Sequence, residues 1–232
     1  KYGGDDNDPF KYSDIIYSNT QSSFGGPRGG FLMINHTKNP ALFQKVNSSV
    51  FPGLQGGPHN NQIGAFTVQL QALITSPVVN YVSDALNNSK ALANTLARNH
   101  IPLFGSGTET HLVMIDCIQL GLSPEFISNI LTKCKIRHTY KDLNHSTSVI
   151  TFGTLVYTFR GGNSEQIERL GNLISQSIQI GSEIYGYAEM EKLPSEVKQV
   201  RLLEEVSKDI RLKIISDEVT LIANKLAHIK MY

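Results

Sequence analysis

The sequence predicts an α/β fold, and three observations carry that expectation. Short apolar runs beside glycine recur as strand candidates, segments with apolar residues at helical spacing lie between them, and 40% hydrophobic residues in 232 suffice to fill a core. Lys plus Arg at 21 against Asp plus Glu at 20 leaves a formal charge of +1, so no strong overall field recruits nucleic acid or an anionic membrane. No apolar run approaches the roughly 20 residues that span a bilayer. Cys117 and Cys134 are too few for a disulfide scaffold and lie far from any histidine cluster, so they read as small buried hydrophobes.

In chain order, Lys1 to Pro9 holds no initiator Met and no charged leader ahead of an apolar stretch, and Gly3-Gly4-Asp5-Asp6-Asn7-Asp8-Pro9 reads as a polar turn or linker. The expectation is a chain that opens inside a fold. Asp14-Ile15-Ile16-Tyr17 is the first strand, and Phe31-Leu32-Met33-Ile34, leaving a tight turn at Gly29-Gly30, is its expected partner. From Asn60 to Ile74, Ile63, Phe66, Val68, Leu70 and Leu73 recur at mostly helical spacing, and Pro77 bars straight continuation. A second helix is expected from about Val79 to Arg98. Its stripe is Val82, Leu86, Leu92 and Leu96, with Ala85, Ala91, Ala93 and Ala97 permitting close approach to a neighbour.

The turn-rich Gly105-Ser106-Gly107-Thr108 places a change of domain near Leu103, dividing the chain at 1–102 and 103–232. Beyond it, His111-Leu112-Val113-Met114-Ile115-Asp116 reads as a strand buried on both faces. Ser123, Pro124 and Glu125 open a helix to Lys133, Ile136 begins a short strand, and Val149-Ile150-Thr151-Phe152 is another. A helix follows from about Ser164 through Ile167, Leu170, Ile174 and Ile178, with Glu165 suited to its first turn. The last helix runs from Ser195, with Val200, Leu203, Val206, Ile210, Ile214 and Val219 along one side.

Two segments carry chemical possibilities. Ser23-Phe24-Gly25-Gly26-Pro27-Arg28-Gly29-Gly30 packs four glycines and a proline around one arginine and reads either as a sharp turn between strands or as a ligand loop. In Val50-Phe51-Pro52-Gly53-Leu54-Gln55-Gly56-Gly57-Pro58-His59-Asn60, two adjacent glycines stand just ahead of a helix, where backbone N–H groups can face an anion such as phosphate; the alternative is a loop stapled by two prolines. The seven histidines, His36, His59, His100, His111, His138, His145 and His228, show no HxH or HExxH spacing, so no metal site is expected. A nucleophile elbow, a P-loop and a GxGxxG fingerprint are all missing from the sequence.

Taken together, the run from Asp14 through Thr20-Gln21-Ser22-Ser23 to Gly26-Pro27-Arg28-Gly29-Gly30, followed by Phe51-Pro52-Gly53-Leu54-Gln55-Gly56-Gly57-Pro58, resembles serine hydroxymethyltransferase in order and spacing. Further matches are Thr110-His111-Leu112-Val113, Phe152-Gly153-Thr154 with Arg160-Gly161 downstream, and the terminal helix. The resemblance implies a fold-type-I pyridoxal-phosphate (PLP) transferase, aspartate-aminotransferase-like, with the end of the large domain followed by the smaller C-terminal α/β domain. It further implies an enzyme family that moves a one-carbon unit between serine and tetrahydrofolate to make glycine. Its lysine holds PLP as a Schiff base.

Here the lysine position is Ser22, the histidine before it is Gln21, and the arginine that grips the substrate carboxylate is Thr151. Leu155 stands where the family has proline, and the upstream segment whose residues stack on the cofactor and pair with its pyridine nitrogen does not occur in the sequence. A hydroxyl cannot form an imine and Thr151 cannot replace a guanidinium fork, so no catalytic residue and no covalently bound cofactor are expected. Gly56 and Gly57 match family glycines that bind the cofactor phosphate of the neighbouring subunit, and Arg28, His111 and Arg160 also survive. The expectation is a pseudoenzyme kept as a structural, regulatory or assembly subunit. Its partner would be a like chain, an active serine-hydroxymethyltransferase-type subunit whose site it completes, or a larger assembly. The compartment expected is mitochondrial or cytoplasmic, the mitochondrion preferred. The competing expectation is an active glycine hydroxymethyltransferase holding PLP in an atypical way, through Lys38 or Lys45.

Overall fold

The computed structural model describes residues 8–75, 80–144, 147–190 and 195–226. The N-terminal turn through Asn7, Pro77, Val79, His145 and His228 lie outside the described residues. The chain divides into two compact units, 1–82 and 83–232.

In the first unit a short helix, α1 (Pro9–Tyr12), capped by the Asp8 carboxylate, leads into β1 (Ile15–Asn19) and β2 (Gly30–Ile34). The two strands pair antiparallel, Ile15 against Ile34 and Asn19 against Gly30, as the alternating patterns predict. A helix not foreseen from the sequence follows, α2 (Pro40–Ser48): the Asn39 side chain accepts from Leu42 N at 3.0 Å and Pro40 occupies the first turn. A wider turn, Ser49–Leu54, then leads to α3 (Asn60–Ile74), which has the bounds the spacing predicts.

Between residues 8 and 75 no apolar side chain is buried; Thr20 and Gln69 alone are, while Leu54 is 86% and Tyr17 81% exposed. What holds these elements is a half-buried aromatic cluster. The Phe24 ring meets Phe31 and Phe66 edge-on at 5.3 and 6.0 Å, and Phe31 stacks on Phe66 at 6.0 Å. Gln69 adds a hydrogen bond from Nε2 to the Phe24 carbonyl, 2.9 Å.

The second unit carries the core. A three-stranded antiparallel sheet has the order β3-β5-β4, formed by β3 (Leu112–Asp116), β4 (Thr139–Asn144) and β5 (Thr147–Gly153). Val113, Ile115, Ile150 and Phe152 point to one side and are buried. Packed with them are α4 (Tyr81–Arg98), α6 (Pro124–Lys133), α8 (Ser164–Met190), α9 (Ser195–Lys208) and α10 (Ile210–Lys225). The short helices α5 (Cys117–Leu120) and α7 (Leu155–Phe159) follow strands directly. Leu92, Leu96, Ile127, Ile130, Ile174 and Leu212 are all at most 1% exposed, each contributing about 1.5–3 kcal/mol of burial. Leu92, Ala93 and Leu96 of α4 belong to this core, so the unit boundary falls ahead of the body of that helix, whereas the turn signals drew a line behind it.

Three local expectations are corrected. The strand at Leu112 is buried on one face only, because it lies at an edge of an antiparallel sheet whose other face carries the half-buried Leu112, Met114 and Thr151. Strand β4 begins at Thr139, while Ile136 is a buried anchor in the turn after α6, its N–H donating to the Leu131 carbonyl at 2.9 Å. The last helix is two, broken where the Asp209 carboxylate accepts from Arg211 N and caps α10. That break rotates the stripe: Val200, Leu203, Ile210 and Ile214 are exposed, and Leu202, Val206, Leu212, Ile215, Val219 and Ile222 are buried. Both cysteines are buried and free, as expected, and burial pushes each thiol up to about 11.

Candidate functional site

The glycine-rich segment forms the turn of the β1–β2 hairpin. Thr20 N donates to the Gly29 carbonyl at 3.0 Å, Gly26 N to the Thr20 carbonyl at 2.9 Å, and the Thr20 hydroxyl to the Pro27 carbonyl. At Gly26 the backbone passes so close to α3 that an added Cβ would sit 2.7 Å from the Phe66 ring and 3.0 Å from the Thr20 carbonyl, so glycine is required there by packing. Gln21 and Ser22 are exposed at the tip. Ser22 N donates to the Asn19 side chain at 2.9 Å, the Ser22 carbonyl accepts from Gly25 N at 3.3 Å, and Gln21 Oε1 accepts from Gly29 N at 3.5 Å. These contacts are turn chemistry.

The second motif closes on the first. Thr20, Arg28, Gly29, Gln55, Gly57 and His59 are among the residues lining one open cleft of about 340 Å³ within the first unit. Gly56 lies next to it and is exposed. Neither Gly56 nor Gly57 has a left-handed φ, and a Cβ on either would meet nothing within 4 Å. Among the described residues, nothing therefore requires glycine at these two positions.

In the second unit Thr151 sits at the centre of β5, opposite Met114 on one side and Thr139 on the other, and is half-buried in a cleft of about 690 Å³ shared with Arg137, His138 and Arg160. Thr154 is 1% exposed and structural: its hydroxyl is 2.8 Å from the Ala85 carbonyl and 3.1 Å from the His111 carbonyl, pinning α4 to the strand end. Leu155 opens α7, where a helix needs no intrahelical N–H bond, so a leucine in place of proline loses nothing in the ladder. His111 is half-buried, and burial lowers its pKa. Arg28 is exposed on the first cleft.

Sequence reasoning missed Arg137 and Asn88. The run Lys133-Cys134-Lys135-Ile136-Arg137-His138 was a visible basic signal for the first. Asn88 is buried on α4, donating Nδ2 to Thr158 Oγ1 at 2.9 Å and the Gly162 carbonyl at 3.1 Å while Ser164 Oγ donates to its Oδ1 at 3.1 Å, and no sequence pattern marks it. Among the described residues no three His, Cys, Asp or Glu side chains gather as a metal site, and no helix is long and apolar enough to cross a membrane.

The residues present do not fit covalent PLP. Ser22 offers a hydroxyl at an exposed turn. Lys38 Nζ lies 3.5 Å from the Asp14 carboxylate, beyond the Ile34 end of β2, whereas the Ser22 turn joins the Asn19 and Gly30 ends. A five-residue strand, about 13 Å long, separates the two hairpin ends. Lys45 lies on α2 and is exposed.

A family model described as serine hydroxymethyltransferase matches residues 3–174. The chain is 32% identical over 183 residues to the serine hydroxymethyltransferase of Plasmodium falciparum (isolate 3D7), covering 77% of this chain and 41% of the relative. It is 34% identical over 191 residues to the mitochondrial serine hydroxymethyltransferase of Schizosaccharomyces pombe (strain 972 / ATCC 24843), covering 76% and 39%. To the 2-methylserine hydroxymethyltransferase of Paracoccus sp it is 28% identical over 204 residues, covering 85% and 47%. The chain thus spans about two fifths of the first two relatives' length and almost half of the third's.

Proposed function

The chain belongs to the serine hydroxymethyltransferase family, of the fold-type-I PLP transferase class, and from that premise we propose that it is a catalytically degenerate member acting as a structural or assembly subunit. The observation that carries the reading is the pair of replacements at chemically strict positions. Ser22 cannot bond the cofactor aldehyde as an amine does, and Thr151 presents one hydroxyl where a bidentate cation is needed. The family's PLP would attach through no side chain of this polypeptide. The domain division of the family is proposed at 102/103, between α4 and β3.

What the chain keeps is the Gln55-Gly56-Gly57-Pro58 loop, open to an approaching surface. Among the described residues nothing crowds its two glycines, which supports a contact made outside the chain. In this reading the loop lends backbone N–H groups to the cofactor phosphate of an active family subunit, in a heterodimer, and the preferred compartment is the mitochondrion.

Two measurements test this. Incubation with PLP followed by borohydride and peptide mass mapping should give no reduced adduct on any lysine, and turnover of serine with tetrahydrofolate should stay at background. An adduct on Lys38 or Lys45, or folate-dependent turnover, would establish the atypical active enzyme instead. Co-expression with an active family member tests the loop: Gly57→Asp should weaken that partner's PLP affinity at least tenfold, and an unchanged affinity would refute support in trans.

A further inference from the structure

We propose that Ser128 and His138 form a nucleophile–base pair that hydrolyses a small carboxylic ester, with the imidazole oriented by a main-chain carbonyl. The Ser128 hydroxyl lies 2.8 Å from His138 Nε2, and His138 Nδ1 lies 2.9 Å from the Ile136 carbonyl oxygen. A carbonyl only accepts, so the assigned tautomer carries its proton on Nδ1, and Nε2 receives the Ser128 hydroxyl. Nucleophile, base and orienting group thus stand in hydrogen-bond sequence, the arrangement that activates a serine. Both side chains are half-buried, so neither is sealed from solvent.

The fold builds this pair from the end of α6. Lys135 follows the Cys134 C-cap with φ 57°, the left-handed conformation that usually falls to glycine. Its N–H donates to the Thr132 carbonyl at 3.0 Å, and that of Ile136 to the Leu131 carbonyl at 2.9 Å, the paired bonds of a Schellman turn. The turn anchors the buried Ile136 and with it the carbonyl that sets the imidazole. It also reverses the chain, so that His138 meets a helix side chain ten residues earlier.

An open groove of about 360 Å³ adjoins the pair, with Thr132, Arg137 and His138 among its lining residues. Thr132 stands one turn beyond Ser128 on the same face of α6, so the groove runs alongside the serine. No Asp or Glu is among its described lining residues, and the Arg137 guanidinium has no hydrogen bond or ion pair with a described residue. That cation is the group available to meet an oxyanion. In the first step Ser128 Oγ bonds to the ester carbonyl carbon and its proton passes to Nε2. The imidazolium gives that proton to the leaving alkoxide as the C–O bond breaks, and the alcohol departs. Water then attacks the acyl carbon, its proton passing to Nε2 and on to Ser128 Oγ as the carboxylic acid leaves. A neutral carbonyl stabilises the imidazolium less than a carboxylate does, so the pair suits an ester with a good leaving group rather than an amide. This inference is independent of the pseudoenzyme reading, since it invokes neither PLP nor Ser22.

Labelling of the full chain with an alkyl fluorophosphonate, followed by peptide mass mapping, tests it alongside hydrolysis of p-nitrophenyl butyrate. The phosphonyl group should appear on Ser128 at least tenfold faster than on any other hydroxyl, and prior labelling should abolish release of p-nitrophenol. Ser128→Ala should remove both signals. His138→Gln should slow both by about 100-fold. In His138→Ala, added imidazole should restore part of the lost rate, which a merely structural histidine would not show. Circular dichroism checks that the variants are folded, and mapping on the unaltered chain decides the matter without them. A chain that carries no phosphonyl on Ser128, an adduct confined to other residues, or an unchanged labelling rate in a folded His138→Gln variant would overturn the proposal.

Discussion

Replacing Gly162 by alanine probes the turn that positions Arg160. Gly162 is buried, and a Cβ built there falls 2.3, 2.4 and 2.6 Å from Cζ, Cε1 and Cε2 of Tyr157. The ring is rigid, and its hydroxyl donates to the Asn163 carbonyl at 2.7 Å, so it cannot swing aside without breaking that bond. Overpacking of this kind costs about 1–3 kcal/mol, and the lost hydrogen bond adds about 0.5–1.5 kcal/mol. Alanine restricts the unfolded chain and returns about 0.4–1 kcal/mol. The net destabilisation is about 0.5–4 kcal/mol, centred near 2. Gly161 is the contrast: its φ is 82° and nothing lies within 4 Å of an added Cβ, so Gly161→Ala pays about 1–2 kcal/mol in backbone strain alone. Urea denaturation followed by circular dichroism, run as a double-mutant cycle with Tyr157→Leu, separates the two. Without the ring, Gly162→Ala should become nearly neutral while Gly161→Ala keeps its full effect. With a urea m-value of about 1–3 kcal/mol per M, the coupling appears as a midpoint difference of about 1 M. Equal losses for Gly162→Ala in both backgrounds would refute the collision.

Three further outcomes are expected. Leu96→Ala, at a fully buried position on α4, should destabilise the second unit by about 2–5 kcal/mol, read from its urea midpoint. Cys117 and Cys134 should resist a thiol reagent at neutral pH until the chain is unfolded; burial raises both from 9.0 to about 11, so the stability they contribute is whole below pH 9 and is lost as pH rises toward 11, measurable by thermal melts across that window. Asp209→Ala should cost about 0.5–2 kcal/mol through the lost cap of α10. The hydrogen bond from Arg211 holds that carboxyl below its ordinary 3.8, so its contribution is present above that pH and fades below it, and the variant should show a shallower acid limb.

Elements with complete local signals were legible in the sequence. Ser123-Pro124-Glu125 encodes cap, first turn and dipole partner together, and α6 starts where that triplet says. The junction at Asp209 was not legible, because a lone capping residue inside continuous helical periodicity looks like one more polar position until Arg211 N is seen to bond it. Asn39-Pro40 supplies a cap and a first turn for α2 but no acidic residue follows them, so its local signal is weaker. At the candidate sites, the two glycine-rich segments stood out because backbone approach leaves a compositional mark. Arg160 was marked by the family resemblance, but Arg137 was not, since 22 intervening residues and the register of β4 on β5 are needed to bring their neighbourhoods together.

The want of buried apolar side chains between residues 8 and 75 has a kinetic face. Amides of β1, β2 and α3 are tied by hydrogen bonds that no packed interior defends, so in the isolated chain they should exchange with deuterium through shallow local opening, well before those of β5 or α8. Proteolytic nicking should follow the same gradient. Slowed exchange across 15–34 would then be a direct gauge of whatever surface comes to shelter it.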